Sequence, residues 1–266
     1  MSAMPAAARP QPAALRTAAF ADVPSLAHGF FGRHGGVSTG QWTSLNVSER
    51  VGDDPQCVAA NWARVRSCVP GLSVVRIRQV HGVRIANATA ADQSLGEADG
   101  VVTRTAGLGL AILTADCVPI LCVAPDAGAV MALHAGWRGT LDGIAAVALT
   151  AAYEWFGIQP HQWRVALGPS IGGCCYEVES HIGAGLIDRW GAMPDAWQPA
   201  GSHGQLDLRA ANRQILSMKG VPSTSITMIG PCTACHDGDY FSHRRSQGRA
   251  GRQVSVIGWA AERPIS

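Results

Sequence analysis

Residues 114–139, "TADCVPILCVAPDAGAVMALHAGWRG", contain two short runs with scarcely a polar side chain, "VPILCVA" and "GAVMALH", separated by "PDA". Continuous apolar runs of this length, bounded by turn formers and rich in β-branched residues, read as strands buried on both faces. Two such strands joined by a tight connection form a hairpin inside a sheet. The exceptions to the apolar pattern lie at its rim. Cys117 precedes the first run and His134 closes the second, so one end of the hairpin receives a thiol and an imidazole.

Outward from this hairpin the chain alternates between strand and helix signals. Upstream, "LSVVRIRQVHG", "GVRIANA", "ADGVVTR" and "LGLAIL" read as strands. Downstream, residues 138–156 carry a helical pattern and "QWRVALG" returns to strand. "IGAGLIDRWG" and "DLRAANRQILSMKG" read as helices, the second closing on Gly220, and "SITMIG" and "RQVSVIGW" are again strands. Many mid-chain strands with interspersed helices predict an α/β fold, a layered sandwich of mixed β-sheets flanked by helices, and not a regular βαβ alternation. No repeat or low-complexity linker divides the chain after residue 17, which predicts one domain over 18–266. The Ala/Pro-rich start, "MSAMPAAARPQPAALR", predicts a flexible tail over 1–17.

Composition removes several function classes. A net charge of +2 and 15% charged residues, with no run of like charge, leave no basic face for nucleic acid. Lys219 is the only lysine, which argues against a Walker or Schiff-base lysine. No stretch is apolar for long enough to predict a membrane span, and prolines at 5, 10 and 12 interrupt any signal-peptide core. The expected location is therefore cytoplasmic, where the eight cysteines are reduced and free for catalysis or metal binding.

His81, at the end of "RIRQVHG", supplies a third donor to the rim that holds Cys117 and His134. Three protein ligands with a fourth position left for water or substrate are the pattern of a catalytic zinc site, whereas structural zinc is usually closed by four.

The motifs "GRHGGVSTGQWTSLNVSERVGDDP", "RQVHG", "EADGVVT", "TADCVPIL", "HAGWRG", "LGPSIGGCCYEV" and "YFSHRR" resemble, in order, those of the laccase-domain family. Its members go by the names multicopper polyphenol oxidase, peptidoglycan editing factor and purine nucleoside phosphorylase. The resemblance spans roughly residues 28–259. It implies a single α/β domain of sandwiched sheets and a metal, zinc with copper as the alternative, held by His81, Cys117 and His134.

The activities attached to that family differ in what they require. A laccase needs a trinuclear copper cluster fed mainly by paired histidines, but the nine histidines here include no His-x-His. A single His₂Cys centre, with Met131 as an axial ligand, resembles a blue-copper site and cannot by itself reduce dioxygen to water. Phosphorolysis of purine nucleosides (adenosine, inosine and S-methyl-5′-thioadenosine) needs a phosphate pocket beside a nucleoside pocket. Gly136, Arg138 and Gly139, where a strand turns into a helix, are candidates for the anion. Arg33, Asn46, Ser170, Arg244 and Arg245 are candidates to close the pocket. For adenosine deamination at the same metal, Asp116 beside Cys117 is the candidate proton carrier.

Three other readings remain open. Cys117 as nucleophile with His134 as base describes a cysteine hydrolase, of the kind cell-wall precursor editing would use. Cys175, Glu177, Cys232 and Cys235 superficially match a thiol-type zinc deaminase, although the separation is long for that class; Cys232 and Cys235 alone would suit a second metal or redox site. A non-enzymatic binding module could use the eight tryptophans as anchors, but their dispersal favours core packing.

Overall fold

The computed structural model describes residues 10–261. In chain order the elements are β1 (Ala14–Leu15), β2 (Leu26–Phe31), α1 (Pro55–Ser67), β3 (Ser73–Arg76), β4 (Ile85–Asn87), β5 (Gly100–Thr103), β6 (Leu108–Thr114), β7 (Val118–Ala124) and β8 (Ala129–Ala135). They continue as α2 (Trp137–Asp142), α3 (Ile144–Phe156), β9 (Arg164–Leu167), β10 (Glu177–Glu179), α4 (Ser180–Trp190), β11 (Trp197–Ala200), β12 (His203–Leu206), α5 (Leu208–Met218), β13 (Ile226–Met228) and β14 (Gln253–Trp259).

Two mixed sheets form the centre. One runs β1-β2-β14-β6-β3 and the other β13-β9-β7-β8-β5-β4, while a small third sheet, β10-β12-β11, lies apart. The β7–β8 hairpin is antiparallel, with Val118 opposite Ala135 and Pro119 opposite His134. Strand alternation then sorts its side chains. Leu121, Val123, Val130 and Ala132 belong to the cluster shared with Phe30, Leu110 and Ile112 of the facing sheet. Ile120, Cys122, Met131 and Leu133 belong to the cluster shared with Ala145, Leu149, Ile215 and Leu216 of α3 and α5. A strand covered on both faces must be apolar at every position, which is why these runs lack a two-residue period. Val58, Trp62 and Val65 of α1 cover the outer face of the first sheet against Phe31, Val254 and Val256.

The sequence of residues 138–156 predicts one helix, and two are found. Gly143 takes φ +80 between α2 and α3, and a Cβ there would run into the Trp190 ring. At the N-terminus, residues 1–9 of the expected tail lie outside the described residues. Ala14 and Leu15, also within it, pair with Phe31 and Phe30 as an edge strand.

Candidate metal centre and cleft

His134 is the penultimate residue of β8, on the same parity as Val130 and Ala132, so it occupies the inter-sheet side of the hairpin and is only 3% exposed. Cys117 immediately precedes β7, directly after Asp116, which holds a left-handed φ of +88. His81 lies in the loop between β3 and β4, also left-handed at φ +62. One ligand atom from each of His81, Cys117 and His134 lies within 4.8 Å of the others. The two imidazoles meet edge to face, their centroids 4.8 Å apart.

Asp99, fully buried in the loop before β5, organises this arrangement. Its Oδ1 lies 2.8 Å from His134 Nδ1 and accepts the backbone N–H of His81 at 2.9 Å. Its Oδ2 accepts the N–H groups of Gly82 at 2.7 Å and Val80 at 3.1 Å. One carboxylate thus orients the His134 ring and shapes the loop that presents His81. Burial pushes the Asp99 carboxyl up, but the His134 and Gly82 hydrogen bonds outweigh it and the net direction is down.

The protonation states are coupled. Burial raises the Cys117 thiol, yet His134 and then His81 overcome it and bring it down to about 6. Burial lowers His134, but the Cys117 thiolate and Asp99 raise it to about 9. Thiolate is the form of cysteine that binds metal. Gly136 leaves space at this point: a Cβ on it would lie 3.0 Å from Cys117 Sγ and 3.3 Å from His81 Cδ2. Two imidazoles, a thiolate-prone cysteine and a carboxylate holding the distal nitrogen of one histidine fit a zinc ion with one position open to a ligand.

The site lies in a cleft of about 930 Å³. Trp137 and Tyr176 contribute aromatic surface to its wall, and Arg50, Arg76, Arg78, Arg244 and Arg252 supply positive charge. Arg244 Nη1 donates to Glu177 O at 3.0 Å, and its guanidinium lies 4.9 Å from the Tyr176 ring centroid. Asp116 lines the cleft beside Cys117, its Oδ1 accepting from Thr233 Oγ1 at 2.6 Å and its Oδ2 from Arg244 N at 2.7 Å.

Other residues singled out from the sequence lie outside the cleft lining. Arg33 is tied to the carbonyls of Thr43 and Asp237 and stacks on Phe241. Arg245 is exposed and reaches Asp237. Arg138 is exposed, with its guanidinium over the Trp137 ring, so it does not turn inward with α2. Ser170 is fully buried, its Oγ without a hydrogen-bond partner among the described residues. Asn46 acts one step back: its Oδ1 accepts from Arg252 N at 2.9 Å and Ser48 N at 3.1 Å, holding two cleft-lining residues. Met131 faces α3 and α5, opposite in parity to His134, which removes it as an axial ligand. Asp99 and Arg252 had no role in the sequence reading; the "EADG" motif was the available signal for the first.

Residues 27–260 match the family described as multi-copper polyphenol oxidoreductase laccase. The chain belongs to this family. Among relatives of the laccase family, purine nucleoside phosphorylase YlmD of Geobacillus stearothermophilus is 40% identical over 240 residues, covering 85% of this chain and 87% of the relative. A purine nucleoside phosphorylase of Deinococcus radiodurans is 38% identical over 240 residues, with 88% and 90% covered. The crystal structure of the Geobacillus YlmD superposes with a TM-score of 0.85 at 37% identity, covering 91% of this chain and 94% of that one. Neisseria meningitidis protein NMB0706 gives 0.81 at 31% identity, covering 89% and 95%. Membership thus agrees with the layered α/β architecture, and the names of these laccase-family relatives support an enzyme of the purine nucleoside phosphorylase kind. No helix among the described residues is long and apolar enough to cross a membrane.

Proposed function

We propose that this chain is a zinc-dependent purine nucleoside phosphorylase acting on adenosine, inosine and S-methyl-5′-thioadenosine, with adenosine deamination as a second activity. The observation that carries the reading is the His81, Cys117 and His134 cluster opening into a cleft that also presents aromatic rings and arginines. In phosphorolysis a phosphate oxygen bonds to C1′ of the ribose, the C1′–N9 bond breaks, and the purine leaves with a proton to give ribose 1-phosphate. A bound zinc ion would supply Lewis acidity at the cleft floor.

The protein's own residues divide the remaining work. Asp99 holds His134 with Nδ1 turned inward, which leaves Nε2 for the cleft. Trp137 and Tyr176 offer apolar faces to a purine, and Arg252 and Arg244 place positive charge where an anion would enter. Asp116 is fixed by two hydrogen bonds beside Cys117, in position to pass a proton to the leaving base or, in deamination, to the departing ammonia. The lowered Cys117 thiol beside His134 favours a second reading, a cysteine hydrolase of the kind precursor editing needs.

Metal analysis of protein purified without added metal, coupled to an assay for ribose 1-phosphate, tests the proposal. At least one zinc ion per chain, with product formation that chelation abolishes and zinc restores, is the expected outcome. Bound copper with phenol oxidation, or hydrolysis that survives chelation, overturns it.

A further inference from the structure

Four cysteines outside the cleft-floor cluster also converge. Cys174 and Cys175 follow the Gly172–Gly173 turn ahead of β10, and Cys232 and Cys235 flank a two-residue turn after β13. All four sulfurs lie within 4.8 Å of one another. The separations are 3.4 Å for Cys175 to Cys235, 3.6 Å for Cys174 to Cys235 and 3.8 Å for Cys174 to Cys175. Thiolates about 2.3 Å from one ion at the corners of a tetrahedron are about 3.8 Å apart, which matches this spacing. All four cysteines are free, and the sulfurs of a disulfide would be only about 2.05 Å apart.

The backbone also contributes a donor to this cluster. Gly172 N–H donates to Cys232 Sγ at 3.2 Å. A Cβ at Gly172 would lie 3.4 Å from both Cys174 Sγ and Cys232 Cβ, so this turn packs directly against the cluster.

We propose that Cys174, Cys175, Cys232 and Cys235 form a second metal site, closed by four thiolates and suited to zinc, which clips the turn before β10 to the turn after β13. Binding releases the thiol protons to solvent and leaves a site of net charge −2, acceptable because Cys174 and Cys235 are exposed to water. Four protein ligands leave no position for substrate, so the site is structural and not a second catalytic centre. What it steadies is the cleft wall. Ile171 and Tyr176 flank the first turn and line the cleft, while Thr233, inside the second, donates to Asp116 beside Cys117.

The test compares full-length wild-type protein with Cys117→Ser, Cys235→Ser and the double variant, each grown with zinc, desalted and measured by elemental analysis. The expected contents are two zinc ions per chain in the wild type, one in each single variant and none in the double. Zinc that survives Cys117→Ser and disappears with the added Cys235→Ser supports this site even where the cleft-floor site is empty. Should Cys235→Ser fail to fold, wild-type protein gives a second readout: Cys174 and Cys235, though exposed, are expected to resist alkylation until a chelator is added. Zinc content unchanged by Cys235→Ser, prompt alkylation of both thiols without chelator, or an intact mass showing a disulfide among these four cysteines overturns the proposal.

Discussion

Asp99 Oδ1 sits 2.8 Å from His134 Nδ1 while the same carboxylate accepts three backbone N–H groups from Val80, His81 and Gly82. The two histidines of the proposed metal centre are therefore aligned by one buried anion, although they come from different elements. Asp99→Asn keeps one acceptor oxygen and the side-chain shape but removes the charge that matches His134. Metal affinity is expected to fall about 10- to 100-fold, the range typical for lost partners of histidine ligands. Competition with a chromophoric chelator measures it, and circular dichroism verifies that the fold persists. Unchanged affinity would show that Asp99 shapes the loop without tuning the ligands.

Cys117→Ser separates the two chemical readings of the cleft floor. Serine is nearly isosteric, but its hydroxyl stays protonated and binds zinc weakly. Phosphorolysis and deamination are expected to fall together by at least about 100-fold, with loss of the zinc that the cleft-floor cluster holds. Folding is expected to survive because Cys117 lies at the end of a strand and not among the side chains packed between the layers. An inactive, folded variant that keeps its full zinc content would instead identify Cys117 as a nucleophile.

Sequence alone made the centre of the molecule legible and left its edges obscure, for physical reasons. The apolar β7 and β8 runs are covered on both faces, and their pattern announces it; His81, Cys117 and His134 stood out because they interrupt or close such runs. The strands of the small sheet, "EVE", "WQPA" and "HGQL", carry too few apolar side chains for any period to show, and β2 is broken by Gly29. Helix α1 is absent from the sequence reading although Asp54 caps it, Pro55 opens it and Val58, Trp62 and Val65 share one face. The anion-site residues were harder still. Whether an arginine faces a cleft depends on which carbonyls compete for it, and Arg33 is taken by Thr43 and Asp237, contacts no local pattern reveals.

Two further arginines differ in where they sit. Arg252 lines the cleft, where its Nη1 donates to the carbonyls of Ala250 at 2.7 Å and Gly251 at 3.0 Å; burial first moves its pKa downward, against the charges of Cys117 and Asp116. Arg138 is exposed over Trp137. If Arg252 holds the attacking phosphate, Arg252→Gln should raise the KM for phosphate about 10- to 100-fold, the equivalent of losing a charged hydrogen bond of about 1.5–3 kcal/mol, and spare deamination, which uses water. Arg138→Ala should change that KM by less than about twofold. Steady-state kinetics with varied phosphate, and ammonia release measured in parallel, decide the matter. Equal loss of both activities in Arg252→Gln would assign that residue a structural role.

His28 makes stability depend on pH independently of the metal centre. It sits on β2, nearly buried, where its Nε2 accepts the Thr17 N–H at 3.1 Å and its ring packs edge to face on Phe20. Burial first, and the charge of Arg16 next, lower its pKa from 6.5 to about 4. Between those values the unfolded chain binds the proton and the folded chain does not, so stability falls as pH drops from about 6.5 towards 4 and is unaffected by this group above that window. The loss should be on the order of 3 kcal/mol, at about 1.36 kcal/mol for each pH unit of that window. His28→Gln keeps an acceptor for Thr17 and cannot titrate. The difference in unfolding free energy between wild type and variant, followed by urea denaturation from pH 7 to pH 4, should therefore move against the wild type on acidification. A difference that stays constant across that range would mean that His28 takes up its proton at the same pH in the fold as in the unfolded chain, and would overturn the burial argument.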